Sequence, residues 1–118
     1  MQSAPVIILV GGTECQKTKF YSHFTAGIYN FPTTKINIRT TINTSPTIVL
    51  VDTPGLKENR NPYEYCWEGV FHLATIILNF GNWSPNEIYG TTPTNMPIMM
   101  TWSGDHQETM ERIMSTLQ

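Results

Sequence analysis

Residues 11–18 read GGTECQKT and directly follow a short apolar run. A phosphate-binding loop has the pattern G-x-x-x-x-G-K-[ST], in which backbone N–H groups and the start of a helix surround phosphate oxygens. Gly11, Lys17 and Thr18 stand at the required offsets, but Gln16 replaces the glycine before the lysine. In such loops the lysine contacts phosphate and the hydroxyl binds Mg²⁺. The alternative is a glycine-rich turn between a strand and a helix that binds no ligand.

A second motif, DTPG at 52–55, ends the apolar run TIVLVD at 47–52. In phosphate-loop proteins an aspartate at this place holds Mg²⁺ through water, and a glycine three residues later donates its N–H to a γ-phosphate. Asp52 and Gly55 are candidates for those roles. The alternative is a Pro-Gly turn after a strand, which is common. Only one predicted helix and one alternating strand separate Lys17 from Asp52, and this order favours a shared phosphate and magnesium site.

The hydrophobic pattern predicts a single α/β domain over 1–118 with a mostly parallel sheet of five strands. Continuous apolar runs predict buried strands at 5–10, 47–52, 74–80 and 97–102. Strict alternation over 35–42 predicts a half-solvated antiparallel strand at the edge. Helices are predicted in 16–27 and over 62–71, 85–89 and 106–117, the last three with a cap residue three positions before a Glu. Alternating strands and helices imply a sheet covered on both faces.

Composition excludes several classes of function. Charged residues make up 14 % of the chain and the net charge is −2, which excludes the basic footprint of a nucleic-acid partner. The longest apolar runs fall far below the ~20 residues of a membrane-spanning helix. The N-terminus lacks the pattern of a signal peptide. Cys15 and Cys66 match no metal-ligand spacing and are interpreted as free thiols. We therefore expect a soluble cytoplasmic protein.

The two motifs resemble those of the GIMAP-type, immunity-associated GTPases and their septin and chloroplast-import relatives. The G-x-T-G-x-G-K-S and D-T-P-G-L of that family stand here as GGTECQKT and DTPGL, and the resemblance spans roughly 5–117. It implies a three-layer, GTPase-like phosphate-loop fold that binds GTP and Mg²⁺. The implied nucleotide-binding residues are Gly11, Gly12, Thr13, Glu14, Cys15, Gln16, Lys17, Thr18, Gly55 and Asp105. The implied magnesium ligands are Thr18, Asp52 and a switch threonine, for which Thr34 and Thr33 are candidates.

Three departures from the family pattern bear on activity. Gln16 adds bulk where glycine lets the backbone approach phosphate, and Glu14 adds a negative charge beside anionic phosphates. Leu56 follows DTPG where many small GTPases have a glutamine that positions water, so hydrolysis is expected to be slow at best. Two functions remain open. One is a GTP-binding switch with weak or no hydrolysis, and the other is a pseudo-GTPase interaction module that no longer binds nucleotide.

The guanine-reading motif and the end of the domain also depart from the family. The nearest match to the motif runs from Thr101 to Asp105, one residue too long and without a basic residue between them. Asp105 has an alternative role as a helix cap. The family's last strand and last helix have no counterpart here, so the fold is expected to be C-terminally truncated and a homodimer is one way to complete it.

The termini supply a further resemblance. The chain begins MQS and ends STLQ, which is similar to the glutamine-containing junctions cut by picornavirus main proteases. Some avian picornaviruses encode a small GIMAP-like protein after the capsid region. The resemblance implies a viral non-structural protein that acts on host proteins in the host cytoplasm, and a cellular origin is the alternative.

Overall fold

Helices and strands of the chain form an α/β fold in the computed structural model, which describes residues 4–12, 16–25, 36–56, 71–89 and 95–118. In these ranges the elements are β1 Val6–Gly11, α1 Lys17–Phe24, β2 Asn37–Thr40, β3 Val49–Asp52, β4 Ile76–Phe80, α2 Pro85–Tyr89, β5 Ile98–Thr101 and α3 His106–Leu117. Each was predicted, so the α/β class is confirmed. The helix predicted over 62–71 lies outside the described residues except for Phe71.

The five strands form one mixed sheet in the order β2-β3-β1-β4-β5. β1 runs parallel to β3 and β4, and β5 runs parallel to β4. β2 pairs with β3 antiparallel at the edge of the sheet, as its alternating sequence predicted. Leu9 is level with Asp52, and Gly11 is level with Phe80. The carboxyl ends of the three inner strands therefore meet at one edge of the sheet.

Hydrophobic cores lie on both faces of the sheet because successive strand residues point to opposite sides. On one face, alternate residues of the inner strands pack against Phe20 of α1 and Ile113 of α3. On the other face, the intervening residues pack against Phe71 and Ile88 of α2. The continuous apolar runs of β1, β3 and β4 are explained by this burial on two sides. The prediction that the strand at 97–102 is also buried was wrong, because β5 is the second edge strand and its Ile98 is 51 % exposed.

The edge strand β2 is antiparallel, as predicted, but it is more exposed than the half-solvated strand that the alternation predicted, because only Asn37 is partly buried. Ile38 lies opposite Val51 and is 59 % exposed, because no strand covers its outer side in the described part of the sheet. Asn37 lies opposite Asp52, and Arg39 lies opposite Leu50. Directly opposed residues of an antiparallel pair project from the same face, so both polar side chains belong to the face that α1 covers.

The predicted caps explain where α2 and α3 begin. Ser84 and Glu87 form a reciprocal capping box, with side-chain bonds to backbone N–H groups of 3.2 Å and 2.9 Å. Asp105 accepts the backbone N–H of Glu108 at 2.8 Å and starts α3. The equivalent cap predicted at Asn61 lies outside the described residues. None of the described helices has the length and apolar character needed to cross a membrane.

Candidate functional site

The candidate site lies where the chain leaves β1 and β3 at the carboxyl edge of the sheet. Ligands of open α/β sheets bind at this edge, where successive connections leave a strand toward opposite sides. The N–H of Leu56 donates to the carbonyl oxygen of Gly11 at 2.7 Å, and Gly12 pairs with Leu56 in a parallel bridge. The DTPG segment is therefore held directly beside the start of the glycine-rich loop.

Thr53 attaches the DTPG segment to the sheet, a role that sequence reasoning missed. Its hydroxyl donates to the carbonyl oxygen of Leu9 at 2.7 Å, and the residue is 1 % exposed. A hydroxyl buried this deeply needs a partner. The only signal in the sequence was a threonine directly after a buried strand, which does not indicate where its hydroxyl will bind.

Thr18 and Asp52 meet in the interior of the site. The hydroxyl of Thr18 donates to the carboxylate Oδ2 of Asp52 at 3.0 Å, although the residues are 34 positions apart. Thr18 is 4 % exposed and Asp52 is fully buried. Hydroxyl and carboxylate oxygens are the hard ligands that Mg²⁺ prefers. The donor set that the two motifs predicted for a magnesium ion is thus brought together, and it fits that ion.

Lys17 begins α1 beside this pair, and its side chain is 3 % exposed. The helix starts here because the N–H of Phe20 donates to the carbonyl oxygen of Gln16 at 2.9 Å. No acidic residue lies in the first turn of α1. The partial positive charge of a helix N-terminus and the lysine ammonium therefore act together, which favours an anion at this position.

Gln16 does not strain the backbone at the position where the family has glycine. Its φ of −84° and ψ of 5° are accessible to any L-residue. Its side chain is exposed and forms no capping hydrogen bond. The backbone conformation at residue 16 therefore does not require glycine. The bulk of the Gln16 side chain is the part of this departure that still bears on phosphate binding.

Gly12 leaves open space on the other side of the loop. A Cβ built on Gly12 would meet no atom of the described residues within 4 Å, so none of their side chains fills the position from which the backbone would face a phosphate. Gly55 is buried in the adjacent DTPG segment. Thr13, Glu14 and Cys15, and the switch candidates Thr33 and Thr34, lie outside the described residues.

Comparisons with protein families and with curated proteins identify no relative of this chain. No protein-family model and no curated protein sequence matches the chain. The chemistry of the site must therefore be inferred from its own residues, namely a buried lysine, a hydroxyl bonded to a carboxylate, and an unfilled glycine position.

Asp105, the predicted base-reading residue, lies after β5, two strands away from β1. Its carboxylate caps α3, which is the alternative role that the sequence indicated. The turn before it requires Gly104, whose φ of 96° is in the left-handed region. Recognition of guanine by Asp105 stays a prediction.

Aromatic side chains fill the space between Asp105 and α1. Phe80 stacks on Trp102 with ring centroids 5.0 Å apart, and Phe20 lies 5.8 Å from Trp102. Trp83 packs against the core on the opposite face. Both tryptophans follow the ends of strands, and both pack against a hydrophobic core.

Proposed function

We propose that the chain is a GTPase-like phosphate-loop domain that binds GTP together with Mg²⁺ and hydrolyses it slowly or not at all. The observation that carries the proposal is the hydrogen bond between Thr18 and Asp52 beside the buried Lys17. A hydroxyl, a carboxylate and an ammonium group seldom share a buried place unless paired or functional.

The architecture supports the three-layer, GTPase-like form of the fold. The antiparallel strand lies at the edge, β1 lies in the centre, and residues from helices pack on both faces. The carboxyl ends of β1 and β3 therefore lie side by side, and α/β proteins of this kind bind nucleotides at that edge of the sheet. The resemblance of the two motifs to those of the GIMAP family agrees with this placement.

Each residue has a defined role in the proposal. Lys17 contacts the β- and γ-phosphates, and the open backbone at Gly12 faces them. Thr18 and Asp52 would hold Mg²⁺ with their hydroxyl and carboxylate oxygens. The N–H of Gly55 contacts the γ-phosphate. When bound, Mg²⁺ neutralises phosphate charge and orients the oxygens of the nucleotide.

Leu56 supports slow turnover. Its side chain is 5 % exposed and packs in the hydrophobic core on the face opposite α1. Its backbone N–H is already bonded to Gly11. An apolar side chain directed into the core cannot orient a water molecule for attack on the γ-phosphate, so binding rather than hydrolysis is the activity expected.

A pseudo-GTPase that binds only a protein partner is the second candidate. The exposed side chain of Gln16 at the start of α1 favours it, because this side chain stands where phosphate would approach the helix N-terminus. The capping bond that occupies one carboxylate oxygen of Asp105 also favours it. In this case the fold serves as an interaction module, with a second copy of the chain among the candidate partners.

Titration with a fluorescent GTP analogue and Mg²⁺ separates the two candidates. We expect saturable binding by the wild type and a loss of about 10- to 100-fold in affinity for Lys17→Ala, the equivalent of about 1.5–3 kcal/mol for a hydrogen bond to a charged group. Lys19→Ala is the matched control, because Lys19 is on the same helix but exposed. Competition with GTP and ATP then reports base preference.

The proposal fails if the folded wild type shows no saturable binding, or if Lys17→Ala and Lys19→Ala weaken binding equally. The first result would leave the interaction module as the function. The second would mean that the analogue binds through general electrostatic attraction and not in the loop.

A further inference from the structure

Tyr21 has a buried hydroxyl that the proposed nucleotide site does not use. The residue lies on α1 three positions after Thr18 and is 3 % exposed. Its hydroxyl forms no hydrogen bond of good geometry within the part of the chain that the structure describes. Buried polar groups are almost always satisfied, so an exception calls for an explanation.

Two residues of opposite charge lie on the same face of the sheet as Tyr21. Asp52 lies on the α1 face of the sheet, since its carboxylate bonds Thr18. Arg39 projects from the same face of β2, because it is directly opposite Leu50, two residues before Asp52. Burial raises the pKa of the Tyr21 phenol, the charge of the Arg39 guanidinium lowers it, the Asp52 carboxylate raises it, and hydrogen bonding with Arg39 lowers it. Both charged groups therefore interact electrostatically with the phenol.

We propose that Tyr21 is a positioning residue that couples Arg39 to Asp52, so that Arg39 serves as a counter-charge for the buried carboxylate while no divalent cation is bound. A phenol hydroxyl can accept a bond from a guanidinium and donate one toward a carboxylate. A short movement of the exposed Arg39 side chain, or one bridging water, completes the chain of contacts.

The coupling gives β2 a role in regulating the site. A divalent cation at Thr18 and Asp52 takes over the compensation of the carboxylate, and the positive charge of Arg39 then opposes it. Movement of Arg39 away from Tyr21 would favour the cation. This consequence rests on the proposed function, whereas the coupling itself is a property of the ligand-free protein.

A double-mutant cycle in ligand-free protein tests the coupling. Unfolding midpoints are measured in EDTA for the wild type, Arg39→Gln, Asp52→Asn and the double variant. We expect Arg39→Gln to lower the midpoint of the wild type and to leave that of Asp52→Asn nearly unchanged. Lys19→Gln, which removes an exposed charge from α1, should shift both backgrounds equally. Additive effects of Arg39→Gln and Asp52→Asn would overturn the proposal.

Tyr21→Phe identifies the hydroxyl as the connecting group. In this background Arg39→Gln is expected to lose most of its effect on the unfolding midpoint, because the ring remains and only the hydroxyl is removed. An undiminished effect of Arg39→Gln would overturn the role of Tyr21. This second cycle also replaces the first if Asp52→Asn does not fold.

Magnesium titration links the coupling to the site. With the fluorescent GTP analogue present, Arg39→Gln should lower the MgCl₂ concentration at half-saturation severalfold, and an unchanged or higher concentration contradicts the regulatory role. The two proposals fail separately. Coupling without nucleotide binding would remove only the nucleotide function, and nucleotide binding with additive cycles would remove only the coupling.

Discussion

At the residue scale, the glycine-rich loop presents one position that is open and one that is occupied. Gly12 has empty space where a Cβ would stand, and its φ lies outside the left-handed region. Gln16 occupies a position with ordinary backbone angles. The described ends of the loop therefore do not need glycine for folding, and any need for it must come from a ligand that approaches the backbone.

Gly12→Ala should separate folding from binding. We expect the free energy of unfolding to rise by about 0.4–1 kcal/mol, because alanine reduces the conformational freedom of the unfolded chain at a compatible position. Affinity for the GTP analogue should fall, because the added methyl group fills the space through which phosphate would approach the backbone of residue 12. Urea unfolding and the nucleotide titration measure the two effects.

Gly104→Ala is the control for that prediction. Gly104 has a φ of 96°, so alanine there is strained by roughly 1–2 kcal/mol and should lower the free energy of unfolding. If Gly12→Ala folds stably and binds the GTP analogue as tightly as the wild type, the space at Gly12 is not a phosphate position.

At the element scale, the connection after β3 is held by bonds to β1. Thr53 bonds the carbonyl oxygen of Leu9, and Leu56 bonds that of Gly11. These bonds continue the parallel pairing of the two strands beyond β3. The positions of Asp52 and Gly55 are therefore set by β1, the same strand that leads into the glycine-rich loop.

Thr53→Val tests this attachment. Valine has nearly the same shape but leaves the buried carbonyl of Leu9 without the threonine hydroxyl. We expect a loss of about 1–3 kcal/mol in the free energy of unfolding and weaker nucleotide binding, because the DTPG segment is released. Urea unfolding and the GTP-analogue titration report both.

Thr116→Val provides the matched substitution at an exposed site. Thr116 bonds the carbonyl oxygen of Arg112 within α3 at 2.8 Å, and valine and threonine have similar helix propensity. Its effect should stay within about 0.5 kcal/mol. Equal losses for the two variants would argue that Thr53 has no special role.

At the scale of the whole molecule, α1 and α3 are held together by rings that include two histidines. His23 and His106 have ring centroids 4.9 Å apart, and His106 also contacts Phe20 at 5.7 Å. Burial lowers the pKa of His106, the neighbouring His23 and Lys19 lower it further, and Asp105 opposes the change. The helix that presents Lys17 and Thr18 thus depends on a neutral imidazole for its contact with α3.

Stability should therefore depend on pH. An imidazole with a lowered folded-state pKa binds its proton less readily than in the unfolded chain, where the pKa is about 6.5. The free energy of unfolding should fall as the pH drops below about 6.5, until the folded-state pKa of His106 is passed. Urea unfolding between about pH 5 and 8 measures this, and His106→Gln should flatten the profile.

His72→Gln is the comparison for the pH profile. His72 is exposed and lies before β4, outside the contact between α1 and α3. The free energy of unfolding of His72→Gln should therefore depend on pH as that of the wild type does. If His106→Gln keeps the full pH dependence, the contact between α1 and α3 is not the source of it.

Much of the fold and part of the site could be predicted from the sequence. Continuous apolar runs identified four strands, of which β1, β3 and β4 are buried, whereas β5 is an edge strand that was wrongly predicted to be buried. The alternation in 35–42 identified β2 as the antiparallel edge. The cap residues placed the starts of α2 and α3. The predicted roles of Lys17, Thr18 and Asp52, the GTPase-like identity and the viral setting come from motifs alone, and they remain predictions.

The sequence by itself determined the type and order of the elements, because hydrophobic period, capping and turn residues act over a few neighbouring positions. Only the tertiary structure decided which distant groups meet. Thr18 reaches Asp52, Thr53 reaches Leu9 and His23 reaches His106 because strand order and register bring them together. The burial of the Tyr21 hydroxyl has the same origin, since no local pattern specifies the surroundings of a side chain in a packed core.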